Sequence, residues 1–548
     1  MNLDNEIWAY ALRNAIEFGK TDAGKILPKL FNHGLGKEGI KEIMPKVQEI
    51  VKKVNGMKKS DREKEYEKYK NYIKEREERE EEELPNSGKN MVFRLAPFPS
   101  GALHLGNAKT YLLNALYAER YKAKTLLVMD DTIGSEEKPI AKEAYDLIED
   151  AFKWLDVKYD KKVIYKSDRL KIYYEYAEKL IEKGKAYVCH CSQEELRKNR
   201  ADGKECSCRQ FQEKEQMKRW KEMAKLKEGE AVLRIKTDMM HPNPAFRDRV
   251  LFKISNREHP RIGREYRVWP TLEMSWAIDD HLLGITHIIR GNDLMIETDM
   301  ERYIWDIFEW EHPETIHSGL VRIEGIEAKI SKSKAQKEVK SGEFSGWDDP
   351  RTWSVQSLRR RGILAESIRK FVEEIGLNKQ DISVPIDALY SINRKIIDLK
   401  ADRYNFVENP VALNIKNAPD VKEIEVHVHP DKKKMRKIKL GKEIYVSKED
   451  LEKFKGKEIR LLHLYNIKLS EKEAKFTSKE NKNIQKIQWV SMPLKAKVLM
   501  PNGSWISGYA DEGIWDLKPN NVIQFERFGF VNFDKLNKDI YEFWFAHK

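Results

Sequence analysis

The feature that most constrains the fold is a pair of apolar runs that flank one helical pattern near residue 100. The first run, MVFRLAP, suits a buried strand and leads into a turn that carries Pro and Gly, PFPSGALHLG. Residues 107–121 then repeat apolar side chains at helical spacing, and TLLVMDD has the pattern of a second buried strand. Strand–helix–strand units build parallel sheets, whose ligands bind at the carboxyl ends of the strands. An α/β core is therefore predicted here.

The pattern changes on both sides of this core. Apolar residues recur at helical spacing near the start of the chain, as at Trp8, Leu12 and Ile16, which predicts a small helical domain. From about residue 402 the period falls to two, and Asn502-Gly503 between two alternating runs is typical of a β-hairpin. We therefore predict an all-β region there, for which small barrels are the commonest form.

The composition limits the class of protein. A chain of 548 residues is too long for one core, so several domains are expected. Lys and Arg outnumber Asp and Glu by 102 to 90, which gives a net charge of +12. This charge suits a polyanionic partner, although binding to a membrane surface or solubility alone explains it equally well. No apolar run reaches about 18 residues, and the first residues lack the pattern of a signal peptide. We expect a cytoplasmic protein that does not bind membranes.

The first candidate site is the turn RLAPFPSGALHLG, which lies between the predicted strand and helix. A helix N-terminus attracts phosphate through its unpaired N–H groups and its dipole. Gly101 and Gly106 allow a close backbone approach, and His104 can bond a phosphate oxygen. Considered alone, one His in a turn is more often structural, so the functional reading depends on a second motif.

That second motif is the segment KISKS at residues 329–333. Two lysines and two hydroxyls at this density suit a triphosphate whose charge grows in the transition state, because Lys supplies point charge without fixed geometry. A solvated loop explains the motif equally well when it is considered alone. Its pairing with the His-Leu-Gly turn, across an irregular inserted region, makes both motifs specific.

Together these segments resemble a known family. RLAPFPSGALHLGN is similar to the HIGH-motif region of class I aminoacyl-tRNA synthetases in its glutamyl/glutaminyl form, and KISKS resembles their KMSKS loop. WPTLEMSWAIDDHLLGITHIIRG resembles the segment between the two motifs. The end of the chain, FGFVNFDKLNKDIYEFWFAHK, is similar to the archaeal glutamyl and the glutaminyl members, and the chain is identified as a member of the archaeal glutamyl type.

The resemblance implies a multidomain α/β fold with a Rossmann-like parallel-sheet catalytic domain. The expected division is an N-terminal helical domain (1–85), two catalytic halves (86–186 and 269–340) around an inserted acceptor-stem-binding domain (187–268), a helical connecting domain (341–401) and β-barrel anticodon-binding domains (402–548). Aromatic and basic side chains of the barrels would suit unpaired anticodon bases. The run from Lys432 to Lys439 is either a patch for the tRNA backbone or an ordinary exposed loop.

The resemblance also implies the chemistry. ATP, with Mg²⁺, activates L-glutamate, and the glutamyl group then passes to the terminal adenosine of tRNA(Glu), while charging of tRNA(Gln) stays open. By matched position the catalytic residues are His104, Lys329 and Lys332. The residues expected at ATP are Gly101, His104, Gly106, Asn107, Ser331 and Lys332, and those expected at glutamate are Arg94, Asp130 and Arg290.

The sequence departs from the family pattern at three positions. Asn107 replaces the second His of the HIGH motif, and its amide can still donate to phosphate or ribose. Leu272 stands where relatives usually carry a Tyr that binds substrate, and Phe98 stands where bacterial glutamyl enzymes carry a Ser. The set of hydrogen bonds to the substrate is therefore incomplete.

We expect Arg290 to select glutamate over glutamine as the amino acid substrate. It ends the strand-like run ITHIIR, and a guanidinium fork can pair with both oxygens of a carboxylate, whereas an amide offers only one acceptor. The alternative is an ion pair with Asp293 or Glu297 that never meets substrate. Two other functions stay open: a glutaminyl-tRNA synthetase, and a catalytically silent tRNA-binding paralogue, which would have no need of both phosphate motifs.

All four cysteines lie between Cys189 and Cys208, which does not fit a secreted disulfide scaffold. Two Cys-x-Cys pairs, Cys189/Cys191 and Cys206/Cys208, can supply four thiolates to a tetrahedral ion. Related glutamyl enzymes often carry zinc in this inserted region, so we expect one structural Zn²⁺, with free thiols as the alternative. The oligomeric state is open, and a monomer is favoured.

Overall fold

The computed structural model describes residues 3–36, 39–74, 83–134, 138–325, 332–441, 443–470 and 473–548. The chain forms two compact units, Met1–Glu83 and Leu84–Lys548. Within the described ranges, no helix has both the length and the apolar character needed to span a bilayer.

The first unit is helical, as the spacing of its apolar residues predicts. Its described helices are α1 (Asp4–Phe18), α2 (Ala23–Leu30), α3 (Ile40–Gly56) and α4 (Lys59–Tyr69). Ile7 and Val47 are among the apolar side chains of its core. Arg62 is buried, and its guanidinium donates to carbonyl oxygens at the C-terminal ends of α1 and α3. Because a helix leaves its last carbonyls unpaired, Arg62 ties both helix ends to α4.

The second unit combines helices with several sheets. Its described helices are α5 (Leu105–Tyr121), α6 (Ala144–Trp154), α7 (Leu170–Glu182), α8 (Gln193–Asp202), α9 (Glu213–Met223), α10 (Leu272–Leu282), α11 (Met295–Phe308), α12 (Lys332–Ser341), α13 (Val355–Arg361), α14 (Ala365–Ile375), α15 (Ile386–Ile397) and α16 (Lys448–Lys453). Its strands up to residue 385 are β1 (Val92–Leu95), β2 (Lys124–Met129), β3 (Ile164–Tyr165), β4 (Ala186–Cys189), β5 (Val232–Ile235), β6 (Val250–Ile254), β7 (Val268–Pro270), β8 (His287–Gly291), β9 (Glu314–Ser318), β10 (Val321–Glu324) and β11 (Ile382–Pro385).

The remaining strands make up the C-terminal region. They are β12 (Arg403–Tyr404), β13 (Phe406–Glu408), β14 (Pro410–Leu413), β15 (Ile415–Lys416), β16 (Glu423–His427), β17 (Met435–Lys439), β18 (Ile444–Ser447), β19 (Glu458–Leu461), β20 (Asn466–Leu469), β21 (Ala474–Ser478), β22 (Lys486–Ile487), β23 (Leu494–Leu499), β24 (Trp505–Ala510), β25 (Val522–Phe525), β26 (Gly529–Asn537) and β27 (Ile540–His547).

A parallel sheet with the strand order β3-β2-β1-β8-β9 forms the centre of the second unit. Side chains of the sheet, including Phe93 and Ile289, pack with those of α5 and α6, including Leu112 and Phe152. The strand–helix–strand unit predicted from the sequence, β1-α5-β2, is confirmed. Because neighbouring strands run in parallel, the carboxyl ends of β1, β2 and β8 lie at one edge of the sheet.

A second sheet interrupts the parallel one along the chain. Strands β4, β5, β6 and β7 pair antiparallel in that order. Their apolar side chains, including Leu233 and Phe252, pack with Tyr173 of α7 and Met274 of α10. The insertion is therefore a folded layer that is continuous with helices of the catalytic core.

The C-terminal region consists mainly of β-sheet. A seven-stranded sheet has the order β12-β25-β26-β27-β23-β24-β13, and a five-stranded sheet has the order β15-β21-β20-β19-β22. The predicted hairpin at Asn502-Gly503 is confirmed, since it joins β23 to β24 and Gly503 adopts a φ of +87°. The predicted fold class is confirmed: a multidomain α/β protein with a helical N-terminal region, a parallel-sheet core and β-rich C-terminal domains.

Candidate active site and cysteine cluster

The turn between β1 and α5 ends at His104, which is the N-cap residue of α5. His104 Nδ1 accepts a hydrogen bond from the backbone N–H of Asn107 at 3.3 Å. This bond satisfies one of the N–H groups that a helix leaves unpaired in its first turn. Asn107 Oδ1 is buried and has no hydrogen-bond partner among the described residues. The turn thus presents a helix N-terminus, whose partial positive charge favours phosphate.

Gly101 sets the shape of this turn. Its φ is +147°, and a Cβ there would lie 2.1 Å from Cη2 of Trp347. Trp347 in turn donates from Nε1 to Glu143 Oε1 at 3.4 Å. The turn is therefore packed against the segment that follows α12. Gly106 lies in the first turn of α5, where a Cβ would be 3.2 Å from the His104 ring.

The KISKS motif lies at the edge of the described structure. Lys329 and Ser331 fall outside the described residues, and Lys332 begins α12 without a described side chain. The predicted contacts of these three residues with ATP stay predictions. The chain that follows the motif does return to the Gly101 turn, because Trp347 lies shortly after α12.

Arg94 and Asp280 form a buried ion pair near the carboxyl edge of the parallel sheet. Arg94 lies in β1, and its Nε and Nη2 donate to the two carboxylate oxygens of Asp280 at 2.5 and 3.0 Å. The Arg94 guanidinium also lies 3.6 Å from the centre of the Trp276 ring. A guanidinium has five N–H groups, so this bidentate pair leaves others that can meet a ligand.

Asp130 follows β2 and forms an ion pair with Lys166, whose Nζ lies 2.9 Å from Asp130 Oδ1. Lys166 is fully buried, donates to Ser275 Oγ at 2.8 Å and lies 3.4 Å from the centre of the Trp276 ring. Burial lowers the pKa of Lys166, and the charge of Asp130 opposes that shift. One carboxylate oxygen of Asp130 is therefore already paired with the ammonium group of Lys166.

Arg290 lies in β8, and helix α11 holds its guanidinium. Nη1 donates to Glu301 Oε2 at 2.6 Å and to the Thr298 hydroxyl at 3.1 Å. Burial raises the pKa of the Glu301 carboxyl, whereas the charge of Arg290 lowers it. The ion-pair partner is thus neither of the two acids considered from the sequence, and Glu297 binds Arg249 instead, at 2.7 Å.

These ion pairs share one region of the second unit. The pairs are Arg94–Asp280, Lys166–Asp130 and Arg290–Glu301. The ring of Trp276 contacts two of the cations, and the charge of Asp280 acts on both members of the third pair. The three cations and three carboxylates balance one another. A buried region of balanced charge at the strand ends suits a small ligand that carries several charges.

The basic run from Lys432 to Lys439 forms ion pairs within the protein. Its short contacts are Lys432–Asp402, Arg436–Asp511 and Lys437–Glu423, at 2.6 to 2.9 Å. These partners reduce the charge that the run offers to an RNA backbone. They weigh against a patch for the tRNA backbone, and the alternative of an exposed loop is also wrong for Met435–Lys439, which forms strand β17.

The four cysteines of the insertion converge. Cys189 ends β4, while Cys206 and Cys208 flank the start of a short 3₁₀ helix. The Sγ atoms of all four cysteines lie within 4.8 Å of one another, and those of Cys189 and Cys206 are 3.7 Å apart. Four thiolates around a tetrahedral zinc, at Zn–S distances of about 2.3 Å, would stand about 3.8 Å apart. The cluster therefore fits one such ion.

The surroundings of the cluster favour a thiolate at Cys206. Nη1 of the buried Arg234 lies 3.8 and 3.9 Å from the sulfurs of Cys189 and Cys206. The hydrogen bond between Cys189 and Cys206 lowers the pKa of the Cys206 thiol to about 5 and raises the pKa of the Cys189 thiol. Between the two cysteine pairs, Ser192 and Glu195 form a capping box at the start of α8. This box fixes the connection between the pairs.

Comparisons with known proteins decide the family. The family model for tRNA synthetases class I (E and Q), catalytic domain, matches residues 90–399. Two models for the anticodon-binding domain of the same synthetases match residues 401–488 and 476–534. The chain belongs to the class I tRNA synthetases of the E and Q group. The resemblance inferred from the HIGH-like turn and the KISKS motif is confirmed, and synthetases of this class use ATP with Mg²⁺.

Curated relatives of this synthetase match over its full length. The glutamate–tRNA ligases of Pyrococcus furiosus, Methanocaldococcus jannaschii and Methanothermobacter marburgensis are 41%, 38% and 37% identical, with 100% of both chains covered in each case. A solved structure described as a glutamate tRNA ligase from Elizabethkingia meningosepticum in complex with its amino acid is 19% identical. The similarity covers 57% of this chain and 70% of that structure's chain, with a TM-score of 0.40.

The synthetase site also contains residues that the sequence reasoning missed. Trp276 and Asp280 lie in the segment that resembles the family, yet neither was given a role. A signal was present, because two consecutive acids, Asp279 and Asp280, in an apolar helix require cationic partners. Lys166 has no comparable signal, because its partner Asp130 lies on a different element of the chain. Glu301 has a weaker signal, because it shares the buried face of α11 with Ile304 and Trp305.

Proposed function

We propose that this synthetase is a glutamate–tRNA ligase, which activates L-glutamate with ATP and esterifies it to the 3′ terminal adenosine of tRNA(Glu). The observation that carries the proposal is Arg290, a cation buried in the region of Arg94 and Asp130 near the carboxyl edge of the sheet. Relatives named glutamate–tRNA ligase, which are similar over the full length, support the same activity.

Adenylation joins a carboxylate oxygen of glutamate to the α-phosphorus of ATP and releases pyrophosphate. The protein contributes mainly position and charge stabilisation. We assign His104 and Lys332 to the charge on the α-phosphate and the departing pyrophosphate, and Lys329 and Ser331 to support of the loop. Mg²⁺ accompanies ATP and neutralises part of its charge. The proposed ATP-binding residues are Gly101, His104, Gly106, Asn107, Ser331 and Lys332.

Glutamate would present its charged groups to Arg94, Asp130 and Arg290. In this assignment Asp130 accepts the α-ammonium group with the oxygen that Lys166 does not use. The γ-carboxylate meets Arg290, where a guanidinium and a carboxylate can form two hydrogen bonds. Glutamine would instead direct N–H donors at a cation, and that mismatch is the proposed basis of specificity.

The tRNA would extend along the second unit. We assign the acceptor end to the inserted domain, residues 187–268, and the anticodon to the β-sheet domains, residues 402–548, part of which the family models describe as anticodon-binding. We also take the enzyme to act as a monomer. Charging of tRNA(Gln) with glutamate is a separate question, which a purified tRNA(Gln) substrate would answer.

We further propose that Cys189, Cys191, Cys206 and Cys208 hold one structural Zn²⁺. The convergence of four sulfurs and the adjacent Arg234 support this assignment. Bound zinc would crosslink β4 to the 3₁₀ segment and so stabilise the insertion. It has no part in the adenylation step.

The experiment that tests the activity is ATP–pyrophosphate exchange, with total tRNA present. We expect exchange that depends on glutamate and that glutamine does not support. Exchange with glutamine would favour a glutaminyl-tRNA synthetase. Absence of exchange with either amino acid would favour a catalytically silent tRNA-binding paralogue.

A further inference from the structure

Two side chains of α11 hold the guanidinium of Arg290. Its Nη1 donates to Glu301 at 2.6 Å and to the hydroxyl of Thr298 at 3.1 Å. Arg290 is 4% exposed and Glu301 is completely buried, so water does not compete for the pair. The Thr298 hydroxyl is itself fixed, because it bonds the carbonyl of Leu294 at 3.2 Å. One nitrogen of Arg290 is thus fixed by two anchors on one face of a helix.

Each member of the Arg290–Glu301 pair also has a polar atom that lacks a hydrogen-bond partner among the described residues. Arg290 Nε and Glu301 Oε1 are buried and have no hydrogen-bond partner within the described part of the chain. Buried polar atoms without partners are rare in folded proteins because each costs free energy. A bound anionic group would satisfy the open donor of Arg290.

The neighbouring acids do not take this role. Asp293 is exposed, and Glu297 accepts from Arg249. Among the carboxylates that the structure describes, Glu301 forms the ion pair with Arg290. The partner of Arg290 therefore lies further along the chain than the two acids that proximity in sequence suggests.

We propose that Glu301 is a positioning residue, which orients Arg290 toward the γ-carboxylate of glutamate, with Thr298 as a second anchor. This inference rests on the proposed function, in which Arg290 meets that carboxylate. A guanidinium presents its donors as a planar fork, and a two-bond contact requires the fork in one orientation. Glu301 supplies that orientation through a short buried hydrogen bond without touching the substrate.

The sign of a substitution effect separates positioning from direct contact. If Glu301 faced the substrate, its charge would repel the γ-carboxylate, and neutralising it would improve the binding of glutamate. If Glu301 positions Arg290, neutralising it releases the fork and weakens binding. Glu301→Gln has nearly the same shape as the native side chain, so it isolates the loss of charge.

The test is steady-state aminoacylation of tRNA at saturating ATP, together with thermal unfolding of each variant. We expect Glu301→Gln to raise the KM for glutamate about 10-fold to 100-fold, the range for one hydrogen bond to a charged group, with kcat and the KM for ATP nearly unchanged. Glu301→Asp keeps the charge and should recover part of the loss. Asp299→Asn removes an exposed carboxylate from the same helix and should leave the KM for glutamate unchanged.

An unchanged or lower KM for glutamate in Glu301→Gln overturns the positioning role. A fall in kcat at constant KM, with a lower unfolding temperature, also overturns it, because it marks a purely structural pair. If Glu301→Gln does not fold, Thr298→Val removes the second anchor, together with the contacts of that hydroxyl to Leu294 and His317, and its KM for glutamate must rise. Arg290→Gln separates the two proposals. If its KM for glutamate equals that of the wild type, the proposed function of Arg290 is wrong. If its KM for glutamate rises steeply while that of Glu301→Gln does not, only the positioning role of Glu301 is wrong.

Discussion

At the scale of single residues, the turn before α5 depends on the absence of a side chain at Gly101. We predict that Gly101→Ala lowers kcat/KM for ATP at least about 100-fold, because it combines a strained φ with displacement of Trp347 or of the turn. ATP–pyrophosphate exchange with tRNA present measures this. Gly229→Ala is the matched control, since Gly229 also has a positive φ, of +88°, but a Cβ there meets nothing within 4 Å. Equal activity of Gly101→Ala and the control would show that the turn does not handle ATP.

Lys332 carries the phosphate chemistry proposed for the KISKS motif. We predict that Lys332→Ala lowers the turnover of adenylate formation about 100-fold to 1000-fold while the protein stays folded, because the ammonium group would act chiefly on charge that develops in the transition state. Lys340→Ala removes an exposed lysine from the same helix and should leave turnover unchanged. Near wild-type turnover in Lys332→Ala would remove the motif from the mechanism.

The site residues show what can be predicted from the sequence at this scale. Arg94 and Asp130 are predicted from the sequence because they match positions of the family that the sequence resembles, and Asp130 also stands at the end of a predicted strand. Their partners were not assigned, because an ion pair depends on tertiary contact: Asp280 is 186 residues from Arg94 along the chain. The same limit applies to Lys166, which no local pattern distinguishes from a surface lysine.

At the scale of elements, the cysteine cluster joins β4 to the segment after α8. We predict about one zinc per chain in protein purified without chelator, and we expect Cys206→Ser to lose the metal and to lower the unfolding temperature. Elemental analysis and thermal unfolding measure the two effects. Ser207→Ala alters an exposed residue between two of the ligands and should keep both the metal and the stability. Well below one zinc in the native protein would refute the assignment.

The elements were predictable where their patterns are long. The helix α5 and the hairpin between β23 and β24 follow from periodicity and from the Asn-Gly turn. The sheet β4-β5-β6-β7 could not be predicted from periodicity, because residues 187–268 show no regular pattern in the sequence. Its strands are three to five residues long, and most of their side chains are buried on both faces, so no alternation is visible.

At the scale of the whole second unit, Arg360 joins the C-terminal sheet to the catalytic core. Its Nε and Nη2 donate to both oxygens of Asp534 in β26 at 2.7 and 2.8 Å, and its Nη1 donates to Asp348 at 2.6 Å. Asp348 follows Trp347, the residue that packs on the Gly101 turn. A single guanidinium therefore bridges a domain assigned to the anticodon and a segment beside the proposed ATP site.

We predict that Arg360 and Asp534 are energetically coupled by about 1 to 3 kcal/mol, the range for charge-assisted hydrogen bonds that are partly shielded from water. A double-mutant cycle with Arg360→Lys and Asp534→Asn, read by chemical unfolding, measures the coupling. The neighbouring pair Arg359 and Asp150 is more exposed, so its cycle should give no more than about 1 kcal/mol. Equal coupling in the two cycles would contradict a special role for Arg360.

We propose that this synthetase esterifies glutamate to tRNA and that Arg290 selects glutamate over glutamine. The most direct measurement is aminoacylation of total tRNA with labelled glutamate and, separately, with labelled glutamine, by the wild-type enzyme and by Arg290→Gln. We predict that the wild type charges tRNA with glutamate alone, and that Arg290→Gln raises the KM for glutamate steeply and narrows the preference over glutamine. If the wild type charges tRNA with glutamine, or if Arg290→Gln keeps full discrimination against glutamine, Arg290 does not determine the choice of amino acid.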